Sequence, residues 1–244
     1  MNVYGLIGHP LEHSFSKQYF TEKFRQENIT ARFELFSISS VEKFQDVLLE
    51  EGLKGLAVTI PYKVDVIPFL TRLTSQAKEI GAVNCIEFGK GELIGHNTDV
   101  IGFERSLVPL LNQNHTGALI LGSGGAAAAV TYVLEKLGLR YLIVSRRTAS
   151  KRGDIMYEQI SKDLLSEYPL IINCTPVGMH PKHNSSPFLP YEFLTSQNFL
   201  YDLIYNPEET LFLKAGRENG CTVKNGLEML ELQAEENWAI WNKD

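Results

Sequence analysis

With 244 residues, 44% of them hydrophobic and 21% charged, the chain has apolar material for one large core or two modest ones, and two small domains are expected. A formal net charge of -6 lacks the cationic footprint that phosphate backbones and anionic membranes demand, which excludes a general nucleic-acid or membrane-surface binder and leaves small molecules as the expected partners. The N-terminus carries no signal-peptide pattern and no apolar run reaches the ~20 residues of a membrane span, so neither export nor insertion is expected.

In chain order, Val3 to Gly8 reads as a short buried strand and Ser16 to Glu27 as a helix whose Tyr19, Phe20, Lys23 and Phe24 share a mostly apolar face. Arg32 to Ile38 offers a second strand, and Val41, Phe44, Val47 and Leu48 follow a capping Ser40 at helical spacing. Leu53 to Ile60 is the third strand. Pro61 suits the first turn of a following helix, where its missing N–H costs nothing, and Lys63 is then expected on that turn. This is just past the carboxyl end of a strand, the edge where open α/β sheets bind ligands. Taken alone, a lysine there is most often a solvated surface charge.

Val83 to Phe88 and Glu92 to His96 read as strands flanking a turn at Gly89 to Gly91, and Asp99 stands before a helix over Ile101 to Leu111. Gly117 to Val130 is a strand running through glycines into a helix. Leu139 to Val144, Leu170 to Asn173, Phe199 to Leu203 and Thr222 to Val223 continue as strands with helical or irregular connections, an alternation that implies a mostly parallel sheet. A closing helix over Gly226 to Trp241 puts Leu227, Leu230, Ala234, Trp238 and Trp241 on one face; periodicity does not say which domain it joins.

Gly122, Gly124 and Ala127 fit the G-x-G-x-x-G/A pattern of dinucleotide sites. Glycine is needed where the chain turns out of the strand and where backbone approaches a pyrophosphate, while the helix N-terminus offers N–H groups to the anion. A ligand-free strand-to-helix turn is the plainer alternative. About 20 residues on, an NAD site would carry Asp or Glu for the ribose 2'-hydroxyl. The chain has Ser145, Arg146, Arg147 and Thr148 there, and forked guanidiniums suit the 2'-phosphate of NADP, although either arginine singly could be a loop charge.

Further polar groups fall at strand ends of the first half: Ser14 and Ser16 after the first strand, Thr59 and Lys63 after the third, then Asn84, and Asn97 to Asp99. Each has a structural alternative, Ser14, Ser16, Thr59 or Asp99 as helix caps and Asn84 as a turn residue. Together they follow the order of a known set. The sequence resembles the shikimate dehydrogenase family: S-x-S as Ser14 and Ser16, V-T-[IV]-P-x-K as Val58 to Lys63, G-A-V-N as Gly81 to Asn84 and N-T-D as Asn97 to Asp99. G-x-G-G-A follows as Gly122 to Ala126, N-x-[ST]-P-x-G-M as Asn173 to Met179, Y-x-P as Tyr205 to Pro207 and G-x-x-M-L-x-x-Q-A as Gly226 to Ala234.

The resemblance implies reversible NADPH-dependent reduction of 3-dehydroshikimate to shikimate in aromatic amino-acid biosynthesis, with Lys63 and Asp99 as the catalytic pair. Ser14, Ser16, Thr59, Asn84, Tyr205 and Gln233 would bind the substrate's hydroxyls and carboxylate. Gly122, Ser123, Gly124, Gly125 and Ala126, with Ser145, Arg146, Arg147, Thr148 and Thr175, would hold NADP, and Leu203 and Gly226 would approach its nicotinamide. The implied fold is α/β in two domains: residues 1–100 a substrate-binding catalytic domain with a mostly parallel sheet, residues 101–225 a Rossmann-like NADP-binding domain, and a C-terminal helix, 226–244, returning to the first. A cytoplasmic monomer or homodimer without metal follows.

Four positions depart from the family pattern. Ala57 stands where Asn is common, Lys17 where Pro often follows S-x-S, Cys85 where Thr usually follows G-A-V-N, and Arg146 where an N-R-T cofactor motif begins with Asn. Competing readings are a relative oxidising quinate with NAD, which Arg146 and Arg147 disfavour, and a non-catalytic NADP-binding regulator, which has no need of Lys63. Cys85, Cys174 and Cys221 form no C-x-x-C pair and read as reduced thiols. His180 and His183 make an H-x-x-H without a nearby carboxylate ligand, and hydride chemistry needs no metal. A Ser14–Lys63 hydrolase pair would lack an evident oxyanion hole.

Overall fold

A computed structural model describes residues 1–11, 14–89, 91–146 and 155–243. The chain divides into two compact units, Met1–Thr98 with Gln233–Asp244, and Asp99–Leu232.

The first unit runs β1 (Asn2–Gly8), α1 (Phe15–Gln26), β2 (Ala31–Ser37), α2 (Phe44–Val47), β3 (Leu53–Val58), β4 (Arg72–Leu73), α3 (Ser75–Ile80), β5 (Cys85–Gly89) and β6 (Glu92–His96). Its sheet has the order β2-β1-β3-β5-β6-β4. β1 pairs in parallel with β2 and β3, and β6 with β4, whereas β5 is antiparallel to both its neighbours. β5 therefore runs against the other five strands, and the sheet is mostly parallel with one reversed member. Continuous apolar stretches such as Tyr4, Leu6 and Ile7, and Leu56 to Val58, are buried because helices and loops cover both faces, as parallel pairing requires.

Two expectations fail locally. Ser40 makes no side-chain cap, and the segment after it is a 3-10 turn over Val41–Lys43 followed by the four-residue α2. No helix starts at Pro61 either: residues 60–66 form successive turns that lead into a 3-10 segment at Ile67–Phe69. The Lys63 carbonyl accepts the Val83 N–H at 2.7 Å, so it is bound to the strand side of the unit, and the Ile67 N–H goes to Val64 rather than back to Lys63. That cross-link takes the acceptor a helix would have needed.

The second unit runs α4 (Asp99–Leu107), β7 (Gly117–Leu121), α5 (Gly125–Lys136), β8 (Arg140–Ser145), β9 (Ile155–Met156), α6 (Lys162–Glu167), β10 (Leu170–Asn173), β11 (Phe199–Asp202), α7 (Leu211–Glu218) and β12 (Thr222–Lys224), ending in α8 (Leu227–Trp241). Its sheet is parallel throughout, in the order β12-β11-β10-β7-β8-β9. Counted from β7, this is 3-2-1-4-5-6, the doubly wound dinucleotide-binding order, whose switch point lies between β7 and β10. Leu119, Leu121, Ile171 and Leu200 of the sheet pack with Leu165, Phe212 and Leu213 of the covering helices.

From Gln233 onward α8 belongs to the first unit. Ala234, Ile240 and Trp241 pack with Tyr4, Leu6, Phe20 and Phe33, and the Trp241 indole N–H donates to the Ile86 carbonyl at 3.1 Å. The buried stripe of α8 is Met229, Gln233, Ala234, Asn237, Ile240 and Trp241; Leu227 is exposed, and Leu230 and Trp238 are half-buried. The expected face is thus rotated, because Gln233 and Asn237 have buried hydrogen-bonding partners that outweigh the apolar claim of Leu227 and Leu230.

Candidate active site

In the first unit, topology gathers the polar groups at one sheet edge. β1, β3 and β6 deliver their carboxyl ends to it, and the reversed β5 brings its amino end there. Asn84, just before β5, accepts the Val58 N–H at 2.8 Å through its carbonyl and donates its own N–H to His96 at 3.0 Å, so it stands between the ends of β3 and β6. Thr59 follows β3, its N–H bonded to Ile7 at 2.9 Å, and half-buried Lys63 is tied to Val83, the neighbour of Asn84. Ser14 occupies the N-cap position of α1 but makes no capping bond, and its Oγ is buried with no partner among the described residues. A buried hydroxyl is normally paired, so a ligand oxygen is the natural complement. Ser16 sits half-buried on the first turn of α1.

Gln233 joins this group through Asn237, whose Nδ2 donates to Gln233 Oε1 at 3.3 Å while its Oδ1 accepts the Thr98 hydroxyl at 2.6 Å. Thr98 in turn donates its backbone N–H to Asn84 Oδ1 at 2.6 Å. Asn97, Thr98 and Asn237 are all buried, and sequence reasoning gave them no individual role. Asp99, 6% exposed, is the first residue of α4 and opens the second unit. Tyr205 is half-buried in the loop after β11 of that unit.

In the second unit the glycine loop leaves β7 with Gly122 at φ +100°, a left-handed conformation that glycine tolerates. A Cβ there would also lie 2.8 Å from Thr175 Cγ2. Gly124 and Gly125 begin α5 with no side-chain cap, and a Cβ on either would meet no atom within 4 Å. The first-turn N–H groups of α5 thus face room that a pyrophosphate can use. A cavity of about 610 Å3 opens beside them, lined by Ser145, Arg146, Tyr157, Thr175 and Phe188 among others. Ala127 is buried where α5 meets the sheet. Arg146 is exposed at the end of β8; Arg147 and Thr148 lie outside the described residues. Tyr157 and Phe188 carry no sequence pattern that would have marked them. These residues fit a dinucleotide.

The far side of this loop system is held by a buried carboxylate. Asp202 accepts the Thr210 hydroxyl at 2.6 Å, Asn173 Nδ2 at 3.0 Å and the Ile204 N–H at 3.0 Å. Asn173 Oδ1 accepts from the Thr175 hydroxyl at 2.6 Å and its N–H at 3.0 Å. The Leu203 N–H reaches the Asn173 carbonyl at 3.1 Å, and Gly226 lies so close that a Cβ would be 2.1 Å from the Leu203 oxygen. Thr175, Leu203 and Gly226 are therefore brought together around Asn173.

Burial raises the Asp202 carboxyl to about 6, against the three donors that favour its anion. The native state then holds this proton more tightly than the unfolded chain, so its stabilisation is full below about pH 4 and is lost as pH rises through about 6. Asp202→Asn removes the titration: the unfolding free energy of the native protein minus that of the variant should fall by about 2 kcal/mol from about pH 4 to 7. Urea melts across this range check it, and a constant difference would contradict it.

A family model described as the shikimate dehydrogenase substrate binding domain matches residues 6–86. The shikimate dehydrogenase (NADP(+)) of Carboxydothermus hydrogenoformans is 40% identical over 257 residues, covering 96% of this chain and 90% of its own. The chain belongs to the shikimate dehydrogenase family. Among solved structures, shikimate 5-dehydrogenase from Thermus thermophilus in complex with NADP(H) and shikimate matches with a TM-score of 0.86 at 28% identity, covering 99% of this chain and 94% of that one. Quinate dehydrogenase from Corynebacterium glutamicum in complex with NAD matches with a TM-score of 0.88 at 27% identity, covering 99% and 93%.

Two departures from the family pattern meet across the sheet. Ala57 and Cys85 are direct partners across the β3–β5 ladder and pack in the same core cluster beside Trp241. Two small, apolar-compatible side chains thus face each other there, and neither brings an amide or hydroxyl into that core. Lys17 pairs with Glu34 at 3.2 Å. All three cysteines are free thiols. Among the described residues no three His, Cys, Asp or Glu side chains cluster as a metal site, and no helix is long and apolar enough to cross a membrane.

Proposed function

We propose that the protein catalyses reversible NADPH-dependent reduction of 3-dehydroshikimate to shikimate, the shikimate dehydrogenase step on the way to chorismate and the aromatic amino acids. The observation that supports this is the sheet edge beside which Thr59, Lys63 and Asn84 lie, in a chain that also carries the glycine cradle of α5. NADPH, when bound, supplies the hydride.

Lys63 donates the proton to the carbonyl oxygen as it becomes an alkoxide. Asp99 is the second member of the catalytic pair and accepts a substrate hydroxyl. Ser14, Ser16, Thr59, Asn84, Tyr205 and Gln233 bind the remaining hydroxyls and the carboxylate. Gly122 to Ala126 would receive the pyrophosphate, Ser145 and Arg146 with Arg147 and Thr148 the 2'-phosphate, Thr175 would also hold NADP, and Leu203 and Gly226 would approach the nicotinamide. The first unit is the substrate domain and the second the NADP domain.

A second reading, quinate oxidation with NAD, has its support in the quinate dehydrogenase neighbour. Initial oxidation rates with NADP and NAD on shikimate and quinate separate the two. The fastest pair should be NADP with shikimate; NAD with quinate as the fastest pair would favour the second reading.

A further inference from the structure

The first unit buries a connected set of one hydroxyl and three carboxamides, and one of its members, Asn237, has no place in the chemistry above. Thr98 and Asn237 are each 1% exposed. The Thr98 backbone N–H occupies Asn84 Oδ1 at 2.6 Å. Its hydroxyl is 2.6 Å from Asn237 Oδ1 and 3.1 Å from Asn84 Oδ1. A hydroxyl has one proton to give, and the shorter contact takes it. Asn237 Oδ1 is then an acceptor, its Nδ2 faces Gln233 one helical turn earlier on α8, and Gln233 turns its oxygen to meet it at 3.3 Å.

The oxygen of Asn84 accepts the Thr98 N–H and that of Gln233 the Asn237 amide, so the nitrogen end of each carboxamide is turned away from this network. The last torsion of a glutamine is broad and nearly two-fold, so nothing intrinsic to Gln233 selects this orientation. A substrate made of a carboxylate, a carbonyl and hydroxyls takes donors at its charged and carbonyl oxygens, and an amide presenting its oxygen there would cost both the bond and a desolvated acceptor.

We propose, resting on the dehydrogenase function above, that Asn237 is a positioning residue which holds the Gln233 carboxamide with its N–H bonds toward the substrate, Thr98 tying the same network to Asn84. The sequence signal is the spacing of Gln233 and Asn237, a polar i, i+4 pair on an otherwise apolar helix stripe.

Asn237→Asp tests it. A carboxylate accepts only, so it keeps the Thr98 bond but forces Gln233 to rotate and turn its N–H inward. The expected result is a rise of about tenfold in KM for 3-dehydroshikimate, with kcat within about threefold and KM for NADPH unchanged. Asn237→Leu, of similar volume and with neither group, should raise the same KM by less, because the contact with Gln233 is removed rather than reversed. In a Gln233→Ala background neither change should raise KM further. The proposal is overturned by an unchanged KM in both variants, by an equal rise in the Gln233→Ala background, or by loss of folding in both, which would make Asn237 a core residue only. A native protein that does not turn over 3-dehydroshikimate at all would overturn the dehydrogenase reading with it, whereas an active native protein with an unaffected Asn237→Asp variant overturns the positioning alone.

Discussion

Lys63→Ala is expected to lower kcat about a thousandfold while KM for 3-dehydroshikimate changes by no more than a few-fold. A positioned general acid contributes about 10^2 to 10^4 in rate, and a thousandfold is about 4 kcal/mol of barrier. Lys63 stands half-buried beyond β3, with its backbone pinned to Val83 and the adjacent Tyr62 hydroxyl bonded to the Ile38 carbonyl at 2.7 Å. The backbone on which the side chain stands is thus fixed by bonds that alanine retains, and loss of rate would not reflect loss of the turn. Steady-state kinetics with NADPH, alongside a thermal melt of the variant, make the measurement. An active Lys63→Ala enzyme would remove the lysine from the chemistry and return it to the surface-charge reading.

Asp99→Asn should cost about a hundredfold in kcat and little in stability. Asp99 is the first residue of α4 and almost wholly buried, so two roles compete for it: a carboxylate that serves the lysine and a substrate hydroxyl, or a helix-end residue that satisfies the first turn. Asparagine discriminates between them, since it caps about as well as aspartate but carries no charge and accepts no proton. The helix loses only the interaction of a charge with its dipole, about 0.5 kcal/mol. Unchanged kinetics together with an unchanged melt would leave Asp99 as a helix start and nothing more.

The parallel second sheet was legible because its strands are apolar runs separated by helical lengths, and the glycine pattern after β7 marks the switch point of such a sheet. The reversed β5 was not legible. A strand's period of two is the same in either direction, and only the short turn before Glu92 hinted that β5 and β6 form a hairpin. Yet that reversal is what carries Asn84 to the edge where Thr59 and Lys63 lie. Pro61 misled because proline suits a helix's first turn and a tight turn alike, and the deciding bond, Val83 to Lys63, joins residues 20 apart.

Asn237 escaped notice for a related reason: it lies 139 residues from Thr98, and a polar residue on an amphipathic helix is ordinarily solvent-facing. The pairing of Ala57 with Cys85 is likewise invisible along the chain, where each is a separate departure, and plain across the ladder, where they face each other. Long-range pairing is what single-chain patterns leave out. Local chemistry, the order of motifs and the fold they imply are what they contain.

The most direct measurement is the absorbance of NADPH followed after 3-dehydroshikimate is added to the purified native protein. Substrate, cofactor and activity are tested together. The expected result is saturable, enzyme-dependent oxidation of NADPH with shikimate as the product. Tight binding of NADPH without any turnover of 3-dehydroshikimate would contradict it, and would make the chain a cofactor-binding protein that kept the fold but not the chemistry of its family.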